Sequence, residues 1–100
     1  GDKKLIFLTG VLRDKDWQQM LRRALPLAKA FVVITPPSAR ALDENELAAW
    51  LNAQGVQAVP AKDTDDGVRR ALALAGEDDA ICSWGSLYFT GEVRHALSAQ

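Results

Sequence analysis

Cysteine and histidine occur once each in the 100-residue chain, and each scarcity closes a class of function. Cys82 alone forms no internal disulfide and no cysteine metal cluster. Its setting in the apolar run Ala80-Ile81-Cys82-Ser83-Trp84 marks a buried, inert thiol. His95 has no second histidine or cysteine at metal-ligand spacing, so it reads as a surface or capping residue near the end of a helix. No apolar run approaches the roughly 20 residues that span a bilayer, and the first residues lack a signal peptide's apolar core. The expectation is a cytoplasmic protein with no membrane partner. No basic stretch is present to neutralise a run of phosphates, and the formal net charge is -1, which argues against a nucleic-acid partner. The chain has no G-x-x-x-x-G-K-[ST] loop and so cannot cradle ATP by itself. Gly85-Ser86 fails the G-x-S-x-G nucleophile pattern, because Tyr88 stands where the second glycine belongs.

What is present is the balance of a folded soluble domain, with 48% hydrophobic and 25% charged residues. The length suits one core, so residues 1–100 read as a single domain. Leu5-Ile6-Phe7-Leu8 and Phe31-Val32-Val33-Ile34 are short apolar runs of the kind buried on both faces of a sheet. Val56-Gln57-Ala58-Val59 is a weaker strand, and Ala80 to Trp84 a fourth. Between them the period changes to that of a helix. Trp17, Met20, Leu21, Ala24 and Leu25 form one stripe, with Asp14 or Asp16 able to cap its start and Pro26 to end it. Leu47, Trp50 and Leu51 form a second stripe, with Asp43 and Glu46 at capping-box spacing and Gly55 at the left-handed C-terminal position. Val68, Ala71, Leu72 and Ala75 form a third, and the acids from Asp63 to Asp66 match that helix's dipole rather than a metal. A fourth helix is expected from Leu87 to about Ser98. Alternating strands and helices predict an α/β, three-layer Rossmann-like domain: a mostly parallel sheet of about four strands with helices on both faces.

In such a sheet ligands bind outside the carboxyl ends of the strands. The three most unusual segments fall there: Thr9 to Asp16, Thr35 to Leu42, and Trp84 to Leu87. Lys15 is a compact cation suited to one carboxylate, unless it pairs with Asp14 or Asp16. Arg40 can grip a carboxylate with two parallel bonds, unless it packs its stem and bonds a helix terminus. Ser86, at the expected start of the last helix, either caps that helix or joins its N–H groups in holding an anion. Paired acids after a strand, as at Asp14 and Asp16, also suit Mg²⁺, but here they read as neighbours of the site with Tyr88.

Read together, Gly10 to Asp16, Thr35 to Leu42 and Trp84 to Arg94 resemble the C-terminal domain of folylpolyglutamate synthase, a member of the Mur ligase superfamily. The likeness runs from about Leu5 to about Leu97. It is most specific in Asp14-Lys15-Asp16 and Gly85-Ser86-Leu87-Tyr88. The resemblance implies an ATP-dependent, amide-forming ligase. ATP and Mg²⁺ would be bound mainly by a separate domain of the same chain, and this domain would hold L-glutamate for joining to a folate through an acyl phosphate. In the related muramyl ligases a lysine after the equivalent first strand and a serine-leucine pair at the equivalent last helix grip the amino acid. Lys15, Ser86 and Leu87 match those positions in kind. Arg40 stands where muramyl ligases carry Asn-Pro-Arg, although Ser38-Ala39 precede it here.

The family's Asp-Gly-Ala-His-Asn segment, with a strand and a helix, would precede Gly1, and the chain carries none of it. The expectation is therefore a fragment without ligase activity that self-associates at high concentration through the surface so exposed. Two other readings stand beside the folate ligase. One is the amino-acid domain of a muramyl ligase, and the other is a non-catalytic Rossmann-like module that binds a small anion or a partner.

Overall fold

Four apolar segments become neighbouring parallel strands because each is long enough to cross the core and too apolar to leave it. They are β1 (Leu5–Thr9), β2 (Ala28–Val33), β3 (Gln57–Pro60) and β4 (Ala80–Ser83). The helices α1 (Trp17–Ala24), α2 (Glu44–Ala53) and α3 (Thr64–Leu74) connect them in turn. The computed structural model describes residues 5–83 in full and the backbone of 86–89. A fifth strand, β5 (Ser86–Phe89), runs antiparallel beside β4, and the sheet order is β3-β2-β1-β4-β5. The α/β fold with a mostly parallel sheet is as expected.

The strand period of two divides the core. Phe31 and Val33 of β2 join Leu21 of α1 and Leu47, Ala48 and Leu51 of α2 on one face. Ala30 and Val32 join Ile6, Leu8, Ile34 and Ala71 of α3 on the other. Phe31, Ile6, Leu47 and Leu51 are fully buried, and each such side chain stabilises the fold by about 1.5–3 kcal/mol. Phe7 stacks on Phe31 with centroids 5.2 Å apart, while Trp17 meets Trp50 edge-on at 5.1 Å and so ties α1 to α2. Met20 departs from its expected place in the stripe, being 54% exposed. At about 100° per residue it falls on the rim of the arc that Trp17, Leu21 and Ala24 share.

Local chemistry sets the helix ends. Asp43 caps α2 by accepting the N–H of Asn45, whereas Glu46, instead of completing a capping box, pairs with Arg13 at 3.7 Å. Thr35 accepts the N–H of Glu44 at 2.9 Å and donates to the Glu44 carboxylate. At α3, Asp63 accepts the N–H of Asp66, and Asp66 accepts the N–H of Lys62 and pairs with Arg70. The Lys62 bond and then the Arg70 bond hold the Asp66 carboxyl below the usual aspartate range. Neither Asp14 nor Asp16 caps α1, whose N-cap, Asp16, makes no side-chain bond. Pro26 does end α1, in a 3-10 turn over Leu25–Leu27. After α2, Gly55 takes φ 91°, the left-handed value its position predicted.

Two corrections concern the end of the described chain. Ser86 to Phe89 form a strand, not the first turn of a helix. Leu-Tyr-Phe is rich in strand formers, and so short a run has no period that tells a helix from a strand. The two-residue link from β4 to β5 has hairpin length. Ser86, paired with Ser83, therefore stands in a strand and not at a helix start, and the remainder of the expected helix, His95 included, lies outside the described residues. Cys82, expected to be buried, is half-buried.

Candidate functional site

The loops that leave β1 and β2 cross at the carboxyl end of the sheet. Gly10 permits the crossing, because a Cβ there would lie 2.6 Å from the Ile34 carbonyl oxygen and 2.8 Å from Pro36 Cδ. Beyond it the two loops pair as a short ribbon. The Leu42 N–H donates to the Val11 carbonyl at 3.0 Å, the Arg13 N–H to the Arg40 carbonyl at 2.7 Å, and Leu12 bridges Ala41. On the β2 side, Ser38 shapes the loop by accepting the N–H of Arg40 at 3.2 Å.

Leu12 to Lys15 then make a turn closed by the Lys15 N–H to the Leu12 carbonyl at 3.2 Å. Each central residue of that turn is tied to the second loop or its helix. Asp14 accepts from the Arg40 guanidinium at 2.7 Å, and Arg13 reaches Glu46 at 3.7 Å. Lys15 follows directly and is exposed, and it forms no ion pair with another described residue.

Beside Lys15 lies a cleft of about 550 Å³, lined by Gly10 to Leu12, Lys15 to Trp17, Met20 and Pro36. Its size suits a small molecule. The lining combines a largely apolar wall, fixed through Trp17 to the α1–α2 packing, with two exposed charged residues, Lys15 and Asp16. That arrangement can hold an apolar stem by its side and a carboxylate by its end, and Asp16 can face an ammonium. A second depression of about 590 Å³ lies at the opposite end of the sheet, but Lys29 in its lining already pairs with Asp79 at 2.6 Å.

The structure brings Asp14, Lys15, Asp16 and Arg40 together. It places the backbone of Ser86, Leu87 and Tyr88 on the far side of β4 from β1. Since Leu8 pairs with Ser83 and Ser83 with Ser86, Ser86 stands about 10 Å, two strand spacings, from Leu8. Sequence reasoning did not single out Arg13 or Pro36, and it gave Glu46 only a place in a capping box. The pairing of residues 13 and 46 has no local signature, although the two prolines do mark Pro36 as a rigid loop residue.

The sequence profile of the family described as Mur ligase, glutamate ligase domain matches residues 1–87. The chain belongs to that family. No curated protein and no solved structure matches it. As a Mur ligase C-terminal domain it is part of an ATP-dependent, amide-forming ligase.

Among the described residues of this Mur ligase domain, no group of three or more His, Cys, Asp or Glu side chains converges as a metal would require. Asp14, one of the two acids after β1, gives its carboxylate to Arg40. With Asp14 so engaged, the two acids after β1 do not fit a magnesium site. No helix among them is long and apolar enough to cross a membrane.

Proposed function

We propose that this domain holds L-glutamate for an ATP-dependent folylpolyglutamate synthase, which joins it to the terminal glutamate of a folate. The observation that carries the reading is Lys15, exposed, without an ion pair to a described residue, and part of the lining of a cleft at the carboxyl end of the sheet. Lys15 binds a carboxylate of the amino acid, and Ser86 and Leu87 complete the grip from the β4–β5 side. The domain positions the amine for attack on an acyl phosphate formed elsewhere in the protein, which contributes rate through orientation, not proton transfer. ATP and Mg²⁺ belong to another domain of the same protein.

The folate assignment, as against a muramyl substrate, rests on Gly85-Ser86-Leu87-Tyr88 and on Ser38-Ala39 before Arg40 in place of Asn-Pro. The test is to supply the ligase that carries this domain with ATP, radiolabelled L-glutamate and either tetrahydrofolate or a UDP-muramyl acceptor. Label transferred to the folate supports the assignment. Label transferred only to the muramyl acceptor reassigns the domain to cell-wall synthesis, and transfer to neither overturns the folate assignment.

A further inference from the structure

Arg40 has the residue type of a carboxylate ligand, yet its guanidinium is engaged. Its Nη1 donates to Asp14 Oδ2 at 2.7 Å, and its own carbonyl accepts the N–H of Arg13, also at 2.7 Å. Both bonds run to the turn that delivers Lys15. That turn is therefore held on three sides: by the ribbon at Val11–Leu42, by Arg40 at Asp14, and by Glu46 at Arg13. The charges alternate across the loops, acid to base at one corner and base to acid at the other, so a shift in register would set like charges against each other.

We infer that Asp14 and Arg40 act as a positioning pair: they clasp the loops after β1 and β2, and so fix Lys15 over the cleft for the amino acid's carboxylate. Arg40 acts through Asp14 and does not touch the ligand. Each side chain is about half exposed, so the pair adds little to global stability, and its effect is confined to the loop. The inference rests on the glutamate-binding reading for its ligand, but the clasp itself is a property of the two loops.

The test is an amide-shift titration of the isotopically labelled chain with L-glutamate, comparing wild type with Asp14→Asn, Arg40→Gln, the double variant and the charge-swapped pair Asp14→Arg with Arg40→Asp. Each single change is expected to weaken binding about two- to fivefold, as befits an exposed pair, with the unfolding midpoint unchanged. The double variant is expected to bind no worse than either single, and the swap to recover most of the affinity. Arg40→Gln abolishing binding while Asp14→Asn leaves or strengthens it would overturn the inference, because Arg40 would then be a direct ligand. No change in any variant would overturn it too.

If wild type itself does not bind L-glutamate, the glutamate reading falls, and hydrogen exchange then decides the clasp on its own. Asp14→Asn is expected to speed exchange at the Arg13 and Leu42 amides severalfold and to move the Lys15 amide shift. Unchanged exchange and an unmoved shift would overturn the clasp.

Discussion

The two ends of the sheet are built from the same residue types and put them to opposite use. At the amino end, Lys29 of β2 reaches across the start of β1, where Leu5 pairs with both Ala28 and Ala80, to meet Asp79 at 2.6 Å. The Asp79 side chain is only 9% exposed and also accepts the Gly76 N–H at 2.6 Å, so one carboxylate folds the α3–β4 loop and joins it to β2. At the carboxyl end the ion pairs are exposed and link loops, and Lys15 is left unpaired among the described residues. Charges that are satisfied internally hold the fold, while a charge left facing a cleft is available to a ligand. The sizes of the two depressions, about 590 and 550 Å³, do not separate the ends; the state of the lysine does.

The amino end can be broken outright. Asp79→Ala removes the acceptor of a backbone N–H and the partner of Lys29, and it is expected to lower the unfolding free energy by about 2–3 kcal/mol, read as a lower urea midpoint at constant slope. At the carboxyl end, Lys15→Ala is expected to leave the unfolding free energy within about 0.5 kcal/mol of wild type while weakening L-glutamate binding about tenfold or more. A large loss of stability from Lys15→Ala would erase the contrast between the ends.

A smaller effect concerns the flank of the sheet. The Asn52 side chain on α2 accepts the N–H of Ala58 and donates to the Ala58 carbonyl, occupying the outward groups of β3, and Pro60 further along has no N–H to offer. Asn52→Ala is expected to cost about 1–2 kcal/mol and to promote self-association through β3, seen as concentration-dependent sedimentation. If wild type already self-associates equally, this edge is not what keeps chains apart.

The smallest effect is one of pH. Because the Asp66 carboxyl is held below the usual aspartate value, its contribution to stability is complete above that value of about 4 and is lost as the pH falls through its lower, folded-state value. Asp66→Asn is expected to flatten that acid limb of the stability profile and to leave the profile near neutral pH parallel to wild type. An unchanged acid limb would show that the Lys62 and Arg70 bonds do not bias its titration.

The four parallel strands, the three helices and their order were legible because each rests on local chemistry: apolar runs, helical stripes, the Asp43 cap, the acids from Asp63 to Asp66 at a helix start, and Gly55. The site was legible in part. That unusual residues cluster after β1 and β2 follows from topology, but the pairing of Asp14 with Arg40 joins residues 26 apart and depends on how two loops cross. Lys15 had Asp14 and Asp16 as sequence neighbours, and only the turn geometry shows that Asp14 is taken by Arg40. The four residues from Ser86 were misread as a helix because Gly-Ser before an apolar run suits a helix start and a hairpin equally well.

The most direct test of this account is the titration of L-glutamate into the isotopically labelled chain, with D-glutamate in parallel and Lys15→Ala as the control. The account predicts amide shifts confined to the loops after β1 and β2 and the β4–β5 hairpin, stronger for the L form and lost in Lys15→Ala. Shifts centred instead on Lys29, Gln54 and Gln57 at the amino end, or equal shifts in Lys15→Ala, would contradict it.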